Sequence, residues 1–184
     1  MGVLFDYFAA PSDESAVATI DRVAGPGVPT APAPQLVEKR QGLFRIAKTV
    51  AAPPDQTPGP AEPVYDTVEV KGIDPVVMIS TLEAILTGVS YEEIIAGPRA
   101  GQVLDDRDGG ERLIVALSDE IQEALASADQ ETIDRVVPEW LRTEEFGMTA
   151  GWSVPDVARI VGDLAGLARR AKERGDKLYC WVCV

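Results

Sequence analysis

The stretch SVPDVARIVGDLAGLARRAKERG, residues 153–175, runs through Asp176 into KLYCWVCV, residues 177–184, and the architecture of the chain turns on it. Ser153 is placed to cap a helix, with Asp156 three residues on as in a capping box. Pro155 falls in the first turn, where a missing N–H costs nothing. Val154, Val157, Val161, Leu164, Ala168 and Ala171 recur at spacings of three and four, and Ile160 and Leu167 widen the stripe. That period predicts a helix with one face in a core, about five to six turns and roughly 30 Å long. Arg169, Arg170, Lys172 and Arg174 crowd its last turns, where cations suit the negative end of the helix dipole, and Gly175 is the natural stop. The segment that follows is apolar on both faces, which predicts a buried, central strand with neighbours on either side.

The rest of the chain has to supply those neighbours. Residues Val3 to Ala10 read as a first strand, and Ser12 caps a helix from Asp13 to Val23 with Ala16, Val17, Ile20 and Val23 inward. Nine of the fourteen prolines then lie between Pro26 and Pro63, which marks an insert at about residues 25–63 within a single 184-residue domain. Its flanks, Gly25–Pro34 and Pro53–Pro63, are expected to be extended and mobile, since proline blocks both helix and ladder. Between them lie Lys39, Arg40, Arg45 and Lys48, a turn at Gln41-Gly42 and an edge strand over Leu43–Val50. Residues Val64 to Val70 alternate as a strand. A helix begins at Ile73 or Asp74 with Pro75 at its first position and stops at Gly88. Ser90 and Glu93 form a capping box for a short helix, Tyr91 to Ala96. Gly97 to Gly110 reads as a polar loop or hairpin, and Arg112–Leu117 as a strand. Ser118 caps a helix from Asp119 to Ala126. Ser127 with Gln130 caps another to Val136, which Pro138 kinks before Trp140. A loop from Arg142 to Gly151 leads into the final helix.

Composition narrows the chemistry. The chain is 46% hydrophobic, carries a formal charge of −13 and contains no histidine. Without histidine there is no Ser-His or Cys-His nucleophile pair, no ordinary near-neutral acid–base group, and no imidazole for a metal. Between Asp105 and Glu145 alone there are thirteen acids against four bases. Such a surface repels nucleic acid and anionic membranes and suits a basic protein as partner. No apolar run approaches the length of a membrane span, and the N-terminus reads as neither a signal peptide nor a myristoylation site; the cytoplasm is the expected location.

Candidate sites are few. Cys180-Trp-Val-Cys183 has CxxC spacing, but in a strand residues three apart lie about 10 Å apart on opposite faces, too far for a disulfide. Zinc would need two further thiolate or imidazole ligands, which the chain lacks. Asp105-Asp-Arg-Asp-Gly-Gly110 misses the first and last ligand positions of a calcium loop. The glycines at 97, 101, 109 and 110 fit neither phosphate-loop pattern. No cofactor, metal or catalytic residue is therefore assigned. Trp140, Trp152, Trp181 and Tyr179 are candidates to gather around one pocket. Glu139, Glu144 and Glu145 beside Arg142 supply carboxylates whose pKa a nearby tryptophan would raise. The candidate binding set is Trp140, Glu144, Glu145 and Trp152.

Four features resemble those of the YfbM-like family of uncharacterised bacterial proteins. They are Met1-Gly-Val-Leu-Phe5, the helix from Ile73-Asp74 to Leu86-Thr-Gly88, a strand feeding a helix pair over Leu113–Leu141, and a long final helix whose Ala and Gly lead into the last strand, Ala171 to Val184. The proline-rich insert and the Cys-Trp-Val-Cys ending suggest an actinobacterial-type branch. The resemblance implies an α+β fold with a small mixed sheet and carries no site residues. Three functions are open. The first is a non-enzymatic domain that binds a basic protein through its acidic surface, in the manner of an immunity protein or antitoxin. The second is a small-molecule binder or enzyme built on the Trp/Glu set, which converging carboxylates in a cleft would favour. The third is a structural subunit docking through its insert.

Overall fold

The computed structural model describes residues 3–29, 36–40, 47–51, 62–147 and 151–184. In chain order the elements are β1 (Leu4–Ala10), α1 (Asp13–Val17), β2 (Leu36–Arg40), β3 (Ala47–Ala51), β4 (Thr67–Lys71), α2 (Val77–Thr87), α3 (Tyr91–Ala96), β5 (Gln102–Arg107), β6 (Arg112–Ala116), α4 (Asp119–Ser127), α5 (Gln130–Trp140), α6 (Glu144–Gly147), α7 (Val154–Arg174) and β7 (Lys177–Cys183). They fall into two compact units, residues 29–64 and the remainder. In the smaller unit β2 and β3 pair antiparallel, from Leu36 opposite Ala51 to Arg40 opposite Ala47. The turn expected at Gln41-Gly42, the start of the strand expected over Leu43–Val50 and most of the proline-rich flanks lie outside the described residues.

The larger unit holds a five-stranded sheet in the order β4-β1-β7-β6-β5, with β7 at its centre as the two-faced apolar pattern requires. The fold is α+β. Within it every pairing is antiparallel, whereas the expected sheet was mixed. The reason is where the long excursions close. The chain leaves β1 at Ala10 and re-enters at β4 beside the same end, where the Ala9 N–H donates to the Asp66 carbonyl (3.1 Å). The helices α4 to α7 likewise leave after β6 and return at β7, with Leu117 N–H donating to Leu178 O (3.1 Å). A strand that re-enters at the end its neighbour left must run antiparallel to it.

One sheet face carries Phe5, Tyr7, Val115 and Cys180 against a helical layer that includes Leu82, Leu125, Val137 and Leu164; the other carries Phe8, Ile114, Tyr179 and Trp181 against Ala16 and Ile20 of the α1 region. The long helix is as read. Ser153 caps it by accepting from Asp156 N–H, Gly175 ends it at φ +74°, and its inner stripe from Val157 to Ala171 is buried, although Val154 is exposed. Each buried Val, Ile or Leu stabilises by about 1.5–3 kcal/mol, so truncating Leu164 to alanine would cost about 2–5 kcal/mol.

Elsewhere tertiary context moved the boundaries. The helix expected to reach Val23 stops at Val17 and gives way to tight turns in which Thr19, Ile20 and Arg22 N–H groups each bond three residues back. Arg22 then donates to Pro26 O (3.2 Å), and Val23 points into solvent. The helix after β4 starts at Val77, later than Pro75 suggested, because the Asp74 carboxylate caps both Val76 and Val77 N–H groups. Of the polar loop or hairpin expected over Gly97–Gly110 the structure has the hairpin, β5 being a polar edge strand held by backbone pairing to β6. Asp129, not Ser127, caps α5, which continues through Pro138 to Trp140.

Candidate functional site

The sheet face under α1 carries the candidate site. Register places Glu69 of β4, Asp6 of β1 and Trp181 of β7 in one row across the sheet. Ala9 and Asp66 are a directly opposed hydrogen-bonded pair, so by alternation Asp6 and Glu69 form a non-hydrogen-bonded pair, the closer kind, with Cβ atoms about 4.5–5.5 Å apart. Two carboxylates thus face each other across the strands.

Asp6 is only 9% exposed, and no hydrogen bond or ion pair to its carboxylate is found among the described residues. Burial, and secondarily the charge of Glu69, raises its pKa to about 6. Gly25 closes on it from above. At φ +77° Gly25 adopts a left-handed conformation, and a Cβ there would lie 2.1 Å from Asp6 Oδ2, so only glycine fits. An acidic group kept out of water beside another acid, without a donor, is costly to the fold and points to a functional role.

Asp6 lines a cleft of about 740 Å³ at the β4 edge of the sheet, bordered by Val23, Ala24 and Trp181 as well as by Trp152 and α7. Its charged lining comprises Asp6, Glu69, Asp156 and Asp163 against Lys71 and Arg159, four carboxylates to two cations. Arg159 leans toward Asp163 (3.4 Å). The apolar walls include Trp152, Trp181, Val68 and Ile160. Trp152 is held by Gly72, whose backbone lies so close that a Cβ would meet the indole at 3.2 Å, and by an edge-to-face contact with Phe146 (5.7 Å between centroids).

The expected binding residues divide around this cleft. Trp152 lines it. Trp140 does not: it is fully buried behind Phe146 (5.0 Å), and its indole N–H donates to Met78 O (3.1 Å). Glu144 is exposed on α6, and Glu145 is half-buried with its Oε2 shielded and without a hydrogen-bond partner. Neither glutamate lines the cleft. Trp181 does, while Tyr179 instead donates to Asp13 (2.8 Å) in a network where the Arg99 guanidinium holds the Asp13 carboxyl below its usual range. Asp6 and Glu69 were not singled out from the sequence. The available signal was one acid inside the apolar run Val3–Ala10, at a position that strand alternation places beside Leu4 and Phe8.

Two buried groups outside the cleft are structural. Glu83 accepts from Ser118 Oγ (2.7 Å), and burial raises its pKa. Tyr7 donates to Ile73 O (2.8 Å). Cys180 and Cys183 lie in β7 as free thiols, the first fully buried. Among the described residues no His, Cys, Asp or Glu group of three or more is arranged to hold a metal ion, and no helix is long and apolar enough to cross a membrane. No protein-family model, curated protein or solved structure matches the chain.

Proposed function

We propose that the protein is a non-enzymatic binding protein whose cleft receives a cationic group, an alkylammonium or a guanidinium, against Asp6 and Glu69. The observation that carries this is Asp6: a nearly buried carboxylate without a donor, facing a second carboxylate and lining a cleft. A cation supplies the missing counter-charge and donors. The reading narrows the expected binding of a basic partner to one place. It also favours this cleft over the acidic Asp105–Glu145 face, where Asp105 and Asp108 are already paired with Arg107 and Arg112, and Glu123 with Lys172. An immunity or antitoxin-like role against a basic effector is its concrete biological form, in a bacterial cytoplasm. Membership of the YfbM-like family is part of the same proposal and rests on the four sequence features alone.

The test is calorimetric titration of the wild-type chain and Asp6→Asn with N-acetyl-arginine methylamide and with butylammonium. Binding by the wild type that weakens at least about tenfold in the variant, a difference of about 1.4 kcal/mol, supports the reading. Absence of binding to both cations, or equal binding by the variant, sinks it.

A further inference from the structure

We propose that the cation enters the cleft as a lysine or arginine side chain of an extended peptide that adds to the free edge of β4. This rests on the cation-binding reading of the cleft and names its ligand class.

Among the described residues the edge is open in the way strand addition needs: β4 ends the strand order and pairs only with β1. With Asp66, Val68 and Val70 turned toward β1, the N–H and C=O groups of Thr67, Glu69 and Lys71 point outward, and no backbone partner for them is found among the described residues. The cleft is also not isolated. A hollow of about 430 Å³ shares Val68, Glu69 and Asp163 with it, and another of about 520 Å³ shares Leu4, Lys71 and Gly72. Between them the three hollows line β4 from Thr67 to Gly72, about 20 Å of extended chain. On the α7 side the smaller hollow is bordered by Gly162, Asp163, Gly166 and Arg170, with open space over Gly162.

The side-chain pattern then follows from the pleat. A residue opposite Glu69 projects on the same face as Glu69, Asp6 and Trp181, so that position takes the cation. Its two neighbours project on the opposite face beside Val68, Val70 and Ile160, and so are apolar. The recognised sequence is apolar–cation–apolar. Pairing of two copies through β4 is disfavoured, because centring the ladder on Glu69 sets that carboxylate against its own copy; a charged edge of this kind resists self-association. Main-chain bonds give such a complex affinity and alternate side chains give it specificity.

The test uses the wild-type chain and an acetylated, amidated Thr-Val-Arg-Val-Thr pentapeptide, with N-acetyl-arginine methylamide as the minimal cation. Opposite Glu69 the arginine uses its own N–H and C=O for the ladder, whereas the valine N–H groups face away. The peptide is expected to bind at least roughly tenfold tighter than the minimal cation. N-methylation at the arginine should abolish that gain, and N-methylation at the second valine should leave it. If the minimal cation binds and the peptide binds no tighter, or both N-methylations act alike, strand addition is overturned while the cleft reading stands. If neither compound binds, both fall.

Discussion

Replacing Asp6 by asparagine removes a charge that the folded state holds at a cost, and the size of that cost follows from its pKa. In the unfolded chain the carboxyl titrates near its ordinary value of 3.8, and in the folded protein near about 6. The folded state therefore binds the proton more tightly. Protonated Asp6 contributes stability that is complete below about pH 4 and is lost as pH rises through about 6. A difference of about two pKa units corresponds to about 3 kcal/mol. The asparagine amide has no such titration, so the variant should gain on the wild type by up to about 3 kcal/mol between about pH 4 and pH 7.5. For a chain of this length that is roughly 6–12 °C in Tm. Urea unfolding followed by tryptophan fluorescence, at about pH 4, 5, 6 and 7.5, measures the gap directly. Any fixed effect of the amide cancels, because the readout is the change with pH. A gap that does not grow with pH, or a variant less stable at the alkaline end, would refute the account of Asp6 as a buried, donor-free carboxylate.

Three further outcomes are expected. Gly25→Ala sets a Cβ against Asp6 Oδ2 at a positive φ, and should lower stability by about 2 kcal/mol or more in the same unfolding assay. Glu83→Ala leaves Ser118 without its acceptor and opens a cavity, and should cost about 2–4 kcal/mol; Glu83→Gln retains shape and an acceptor, and should cost under about 1 kcal/mol, so equal losses would remove the role given to the Ser118 bond. Gly162→Ala meets nothing within 4 Å and should stabilise α7 by about 0.5–1 kcal/mol while weakening the pentapeptide, measured by thermal melting and calorimetry; unchanged peptide affinity would move the strand away from α7.

The residues legible in advance are those whose role is set locally. Ser90 with Glu93 and Ser153 with Asp156 form capping boxes because the cap and its partner lie three residues apart in the chain. What stayed hidden depended on a neighbour far away in sequence. Gln102–Arg107 is polar and rich in aspartate, a poor strand former alone, yet pairing with Arg112–Ala116 makes it one. Pro138 reads as a kink, but in α5 the burial of Val136, Val137 and Trp140 outweighs the lost hydrogen bond. Of the expected binding set only Trp152 reached the cleft. Trp140 was drawn into the core by its large apolar area once Met78 offered its indole a carbonyl.

The long helix, the buried strand after it and the α+β class were all present in the linear order of residues. They rest on periodicity, caps and two-faced hydrophobicity, which are properties of consecutive positions. The acidity and the lack of histidine that restrict the chemistry were equally plain in the composition. Where a cation could bind was a matter for the folded chain alone. Asp6 and Glu69 are 63 positions apart in the chain, Asp6 and Trp181 are 175 apart, and no local pattern couples them. They meet because β4 and β7 both pair with β1 in one register; a shift of one residue would turn Asp6 away from both.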